Sequence, residues 1–325
     1  MSEPSNNIAP DTRHDTLIIG AGMAGLACAR RLATAGHAAL ILDKGRGIGG
    51  RMATRRGTDG QRFDHGAQYV TLRDAAFQAA MSAISDVIAP WPEAGEGRFV
   101  GLPGMSALPK RLAQGLEVRQ QTQVTALQSG DEGWRVETTN GVFQANRLVL
   151  TAPSPQTAAL LAPVDPALSA AALASRYDPC LTLMLETAPE AAGSPAVMRE
   201  ADGPTAWLAR DNSKPGRPAG DGIGALWVAQ AGPDWSRAHL ELSPPEIAEQ
   251  MLPVVTQRLG LDLAQIRSAS AHRWRYARVA TPLDAPFVKN SAGTLYAGGD
   301  WCLGPRVEAA WLSGTAIAEA LLEGG

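Results

Sequence analysis

Apolar residues fall along this chain in two rhythms, and the switches between them mark where its elements begin and end. Leu17-Ile18-Ile19 is a short unbroken apolar run, as expected of a strand buried on both faces. Met23 to Ala35 then follows a helical period, with Leu26 and Leu32 on its apolar side and Gly36 as a stop. Ala38 to Leu42 is a second apolar run, and Asp43 ends it. Strand, helix and strand in that order predict a parallel βαβ unit. Leu116 to Leu127, Gly133 to Thr138 and Gly141 to Ala145 alternate like strands of a β-meander, with Asn140-Gly141 as the hairpin turn. Arg147 to Pro153 reads as a return to the parallel sheet.

From about Pro155 to Arg273 the pattern changes. Alanine-rich helical pieces, Pro166 to Ser175 and Pro245 to Leu259, alternate with strand-like runs, Leu181 to Glu186 and Ala225 to Ala229. Gly203-Pro204 and Ser213 to Gly222 are the expected loops. A last apolar strand, Thr294 to Asp300, precedes a helix over Arg306 to Leu322. The expected fold class is α/β: a Rossmann-like domain with a parallel sheet and a β-meander, plus an α+β substrate domain. We expect a disordered lead-in over 1–15, a discontinuous cofactor domain over 16–75, 95–155 and 275–325, and a substrate domain over 76–94 and 156–274.

The first βαβ unit carries Gly20-Ala21-Gly22-Met23-Ala24-Gly25 at its strand-to-helix turn. Gly20 allows the tight turn, Gly22 lets backbone approach a pyrophosphate, and Gly25 lets the helix pack against the sheet. The helix start at Met23 and Ala24 aims unpaired N–H groups and a dipole at that anion. Asp43 stands where an acid accepts hydrogen bonds from an adenosine ribose. A glycine-rich turn without a ligand is the plain alternative; strand, glycines, helix and acid in this order favour the dinucleotide.

A nicotinamide-only enzyme needs little beyond this unit, but here Lys44-Gly45-Arg46-Gly47-Ile48-Gly49-Gly50-Arg51-Met52 follows at once. Gly49 and Gly50 permit close backbone approach, and Arg51 offers a planar fork to phosphate oxygens. A mobile surface loop is the alternative. At the far end, Gly299-Asp300 and the helix start at Arg306-Val307-Glu308 form a matching half. Asp300 is placed to bond a ribityl hydroxyl, and the helix N-terminus to stabilise the anionic reduced isoalloxazine. FAD, rather than NAD, is therefore the expected resident cofactor.

Composition excludes more than it assigns. The 325 residues are 45% hydrophobic and 19% charged, typical of a globular chain of one or two domains. The net charge of −3 comes without a basic block or acidic tail, so no nucleic acid or membrane partner is expected. Three scattered cysteines, Cys28, Cys180 and Cys302, suggest neither a disulfide framework nor a metal site, and fit a reducing, cytoplasmic setting. Met1 to Asp15 is polar and lacks the apolar core of a secretory signal. The five histidines show neither a H-E-x-x-H nor a nucleophile-elbow arrangement, so hydrolytic and metal chemistry find no support.

The glycine fingerprint, Gly49-Gly50-Arg51-Met52, Phe63-Asp64-His65-Gly66-Ala67-Gln68-Tyr69, Ala297-Gly298-Gly299-Asp300-Trp301-Cys302 and Arg306-Val307-Glu308 together resemble the FAD-dependent amine-oxidase superfamily, and within it bacterial renalase-type proteins. The resemblance covers both ends of the chain and is weak through the middle. It implies a p-hydroxybenzoate-hydroxylase-like or amine-oxidase-like fold, and it implies cofactor contacts at His65, Gly66, Ala67, Gln68, Val124, Gly299, Arg306 and Val307, beside the residues named above. Amine oxidases of this kind flank the flavin with an aromatic cage and set a lysine near N5. Here Arg306 stands where a cage tyrosine is expected, and none of Lys44, Lys110, Lys214 and Lys289 sits in a motif that points to the flavin.

Renalase-type enzymes oxidise the 2- and 6-dihydro isomers of NAD(P)H to NAD(P)+, with O2 reduced to H2O2, and that reading comes first. A flavin amine oxidase is the second, and a non-catalytic FAD-binding redox sensor the third. The substrate is a small molecule, a dihydronicotinamide dinucleotide or an amine. On the substrate face, Tyr69 and Trp301 are expected to stack on it, with Gln68 and Arg306 as polar contacts; core packing is the alternative for both aromatics. His272, Trp274 and Tyr276 alternate with Arg273 and Arg275 along one strand, where His272 is either structural or a site residue.

Overall fold

The computed structural model describes residues 13–57, 60–188, 194–218 and 224–324. Its central sheet runs in the order Val288–Lys289, Leu295–Ala297, Gly141–Leu150, Arg13–Ile19, Ala39–Leu42, Glu117–Arg119. All neighbours are parallel except the first pair. Leu17, Ile18, Leu40, Ile41, Leu148 and Val149 are buried, which is what the unbroken apolar runs require of strands covered on both faces. The helix Met23–Thr34 makes the crossover from the first strand to the second. It packs against the last helix, Val307–Glu323, so closely that a Cβ on Gly314 would lie 2.0 Å from the Ala24 carbonyl oxygen.

The meander differs from expectation in more than one respect. Its hairpin turns at Thr139-Asn140 and not at Asn140-Gly141, because Gly141 is already paired with Thr138 and Asn140 does not take the positive φ that a turn centred on Asn140-Gly141 needs. The apolar stretch from Leu116 to Leu127 is two strands, broken where Gln121 takes a φ of +55°. Glu117–Arg119 joins the parallel sheet, while Val124–Gly130 pairs with Gly133–Thr138. Gly141–Leu150 is a single strand that serves both, antiparallel to Gly133–Thr138 at its start and parallel to Arg13–Ile19 along its length. Arg13 to Asp15 belong to the first strand and not to the expected lead-in, whose residues 1–12 lie outside the described residues.

A second sheet of five antiparallel strands runs Val197–Arg199, Trp207–Arg210, Leu226–Gln230, Arg176–Thr187, Ile266–Thr281. Helix Pro244–Leu259 covers it with Ile247, Met251, Val255 and Leu259, one residue per turn on a single stripe. Ile266–Thr281 continues through residues 274 and 275, where we expected one domain to give way to the other. A small sheet orders Val70–Thr71, Arg98–Gly101 and Ile88–Pro90, and so ties residues 98–101 to 70–71 and 88–90. Of the loop expected over 213–222, residues 219–222 lie outside the described residues.

Candidate active site

The glycine turn is built tightly beneath and left open above. Gly20 has a φ of +111°, and a Cβ there would lie 2.7 Å from the Thr151 hydroxyl. A Cβ on Gly25 would lie 2.0 Å from the Gly20 carbonyl oxygen. Around the Cβ position of Gly22 there is nothing within 4 Å, and Gly22 caps its helix without a side-chain hydrogen bond or an acid in the first turn. Met23 and Ala24 point their side chains into the core, so only their backbone faces the turn. An uncapped helix start with open backbone above it fits a pyrophosphate.

Around this turn the structure gathers most of the residues expected at a cofactor. Asp43 accepts hydrogen bonds from the Ala21 and Gly45 N–H groups, each at 2.6 Å, and its own carbonyl accepts from Thr122 N at 2.8 Å. That last bond sets Val124 beside it at the start of the meander. Gly49 N donates to the Ala21 carbonyl at 2.9 Å, joining the second glycine loop to the first. Ala67 N donates to the Arg51 carbonyl at 2.8 Å, and a Cβ on Gly66 would lie 2.0 Å from that oxygen. Gly50, Arg51, Met52, Gly66 and Ala67 thus form one wall. Lys44 turns outward to Gln156 at 3.0 Å.

Arg51 and Asp300, expected to serve phosphate and ribityl groups separately, bond to each other through a two-pronged pair at 2.6 and 2.7 Å. Tyr177 donates its hydroxyl to Asp300 at 2.6 Å from the second sheet, a residue the sequence reading missed. Burial works against the Arg51 charge, but Asp300 outweighs it and the guanidinium stays protonated. Burial, reinforced by Asp300, holds the Tyr177 hydroxyl protonated as well. Gly299 N donates to Ser313 Oγ at 2.8 Å, anchoring this turn on the last helix.

Of the four residues expected on the substrate face, Arg306 and Tyr69 keep exposed surface. Arg306 stands at the start of the last helix with its side chain 42% exposed. Its nearest acid, Glu308, is 3.8 Å away and already accepts from Arg73 N and Asp74 N at 2.6 and 2.8 Å. Tyr69 is half-buried between Trp207, 5.7 Å between ring centres, and the Arg98 guanidinium at 5.1 Å. Trp301 is corrected to core packing: it has no exposed surface and sits among the apolar side chains behind the sheet. Gln68 is buried too, with its amide N–H groups donated to the Asp64 and Gly66 carbonyls and its oxygen accepting from Lys214 at 3.2 Å, so it has little left to offer a substrate.

Two features of the junction had no clear sequence signal, a buried ion cluster and the packing around His65. Lys214 donates to Asp64 at 3.1 Å and Asp211 at 2.5 Å, and Arg217 reaches both acids; all four side chains are fully buried. Burial would raise the Asp64 carboxyl, but Lys214 and Arg217 hold it below the usual range. His65 stacks on Trp274 at 5.2 Å and meets His272 edge-on at 4.9 Å, while Trp274 Nε1 donates to the His65 carbonyl at 2.8 Å. Burial, His272 and Arg55 lower His65 to about 4. His272, Trp274 and Tyr276 do share one strand face, with Arg273 and Arg275 turned to residues 240–242. Burial raises the thiols of Cys180 and Cys302 to about 11 and about 12, so thiolate chemistry is not available to them.

Residues 75–322 match the flavin containing amine oxidoreductase family, and residues 18–83 match an NAD(P)-binding Rossmann-like domain. The chain belongs to the flavin-containing amine oxidoreductase family. It is an FAD-dependent oxidoreductase, and the open glycine turn lies within the residues that match the Rossmann-like domain. Among solved structures, a candidate protoporphyrinogen oxidase from Exiguobacterium sp. 255-15 superposes with a TM-score of 0.78 at 14% identity, covering 97% of this chain and 100% of that one. Cyclohexylamine oxidase from Brevibacterium oxydans IH-35A gives 0.74 at 12% identity, over 96% and 99%. At such identities the likeness is one of fold. An L-amino acid dehydrogenase from Synechocystis sp. (strain ATCC 27184 / PCC 6803 / Kazusa) is 30% identical over 82 residues, which is 25% of this chain and 17% of that protein. Among the described residues no helix is long and apolar enough to cross a membrane, and no cluster of metal-ligand side chains occurs.

Proposed function

We propose that this oxidoreductase is a renalase-type oxidase that converts 2- and 6-dihydro isomers of NAD(P)H, with a proton and O2, to NAD(P)+ and H2O2. FAD, when bound, supplies the hydride acceptor and passes the electron pair to O2. Gly20, Gly22, Gly25 and the starts of both long helices would hold its pyrophosphate and ring, with Asp43, Arg51 and Asp300 at its hydroxyls and phosphates, and His65 to Ala67 alongside.

The observation that carries the reading is Arg306. Half exposed, and joined to Glu308 only through a 3.8 Å contact from Nε, its guanidinium repels an ammonium and keeps its terminal nitrogens for a carboxamide or phosphate oxygen. Loss of hydride from a dihydropyridine forms an aromatic cation without removal of a proton, so the residues need only orient the donor and exclude water. Tyr69, stiffened by Trp207 and Arg98, offers a ring for stacking. Lys214 is committed to a buried ion cluster, which leaves it unfit for the role of the amine-oxidase lysine.

Oxidation of an amino acid is the second reading, favoured by the L-amino acid dehydrogenase relative, because Arg306 would pair equally well with a carboxylate. Anaerobic titration of the yellow protein with mixed dihydronicotinamide isomers, and separately with amines and amino acids, decides between them. We expect fast bleaching by a minor isomer, reversed by O2 with one H2O2 per donor, and slower bleaching in Arg306→Tyr at unchanged FAD content. Bleaching by amines or amino acids alone, or by no donor, contradicts the renalase-type reading.

A further inference from the structure

We infer that Lys214 is a positioning residue that sets Gln68 and Tyr69 against the cofactor. Lys214 follows the short helical turn Asp211–Ser213, far in sequence from the glycine loops, yet its ammonium lies fully buried at the junction of the two sheets. It is the hub of two routes to the same segment. The first is polar: Lys214 Nζ donates to Gln68 Oε1 at 3.2 Å, and Gln68 in turn donates to the carbonyls of Asp64 and Gly66. With both ends of the amide committed, Gln68 braces the turn from Asp64 to Tyr69. The second is aromatic: the ammonium sits 5.0 Å from the centre of the Trp91 ring, Trp91 meets Trp207 edge-on at 6.3 Å, and Trp207 packs on Tyr69 at 5.7 Å. Trp91 Nε1 donates to Ser213 Oγ at 3.3 Å, which fixes the ring to the loop that carries Lys214.

A charge buried this deeply is retained only where it is fully bonded, and a network with every member satisfied admits one arrangement. Asp64 and Asp211 balance Lys214 and Arg217, and Thr54 Oγ1 and Met105 N donate further to Asp64 at 2.6 and 2.9 Å. The cluster therefore locks residues 211–217 to the strand Arg62–Asp64 and hands that rigidity to residues 66–69. The inference rests on the placement of His65 to Tyr69 beside FAD and is independent of which donor the enzyme oxidises.

Lys214→Met alone leaves two buried carboxylates short of a partner and is prone to misfold, so the test uses Lys214→Met/Asp211→Asn, which removes one charge of each sign and keeps the Asp64–Arg217 pair. It is compared with Gln68→Met and with all three changes together. FAD binding to apoprotein, the visible circular dichroism of bound FAD, and apoprotein melting are read for each. We expect melting close to wild type, an FAD Kd raised about tenfold in both the paired variant and Gln68→Met, the same altered dichroism in both, and no further change on combining them. If Gln68→Met perturbs FAD and the paired variant does not, or if their effects add, Lys214 does not act through Gln68 and the inference fails. If Gln68→Met leaves Kd and dichroism unchanged, the placement of residues 65–69 beside FAD fails and the inference with it.

Discussion

The glycine turn at residues 20–25 and the charge cluster at Asp64, Asp211, Lys214 and Arg217 border the same site and are made in opposite ways. The turn is backbone: it works because side chains are missing, with a Cβ forbidden at Gly25 by the Gly20 carbonyl and open space left at Gly22. The cluster is side chain: four long or charged groups from two distant segments, fully buried and bonded to one another. A backbone site tolerates change in its neighbours and fails when a Cβ is added. A buried ionic site tolerates paired changes and fails when one partner is lost.

The sharpest break of the cluster is Lys214→Met alone. It should cost about 3–5 kcal/mol of stability, read by urea unfolding of the apoprotein, while Lys214→Met/Asp211→Asn recovers most of that loss. Equal losses in the two would mean that charge balance is not what holds the junction.

Next is the histidine beside the cluster. His65 titrates near 6.5 when unfolded and near 4 when folded, held neutral by burial, by His272 and by Arg55, with Asp64 opposing them. The unfolded chain therefore binds more protons between those values, and stability must fall as pH drops from about 6.5 to 4. Relative to His65→Phe, the wild type should lose roughly 3 kcal/mol over that interval. Parallel pH profiles for the two proteins would show that His65 does not titrate as its surroundings require.

On the cofactor side, Asp300→Ala removes charge-assisted bonds and should weaken FAD binding by about 1.5–3 kcal/mol. The loss is shared with Arg51, which would then lack its carboxylate partner. FAD retention equal to wild type on gel filtration would remove Asp300 from the cofactor's reach.

The same contrast explains what could be read in advance. The βαβ unit and the last strand and helix are local patterns, carried by spacing within a dozen residues, and the structure forms them. The hairpin forms too, but it turns at Thr139-Asn140, one residue before the expected Asn140-Gly141. Leu116 to Leu127 misled because apolar alternation runs on through a change of sheet, and only the backbone twist at Gln121 separates the two strands. Trp301 misled because an aromatic next to a site acid looks the same in sequence whether it faces a ligand or the core. Lys214, Tyr177 and the carboxylate of Asp64 were illegible because each acts on a partner more than a hundred residues away, and no local spacing records such a pairing.

The backbone character of the cofactor site is tested most directly by the FAD dissociation constant of Gly22→Ala, with apoprotein melting as the control. Alanine there meets nothing within 4 Å and the backbone is extended, so melting should fall by no more than about 3 °C. The methyl group would occupy the space through which a pyrophosphate approaches, and the Kd for FAD should rise at least roughly tenfold. An unchanged Kd would contradict the placement of the cofactor on this turn.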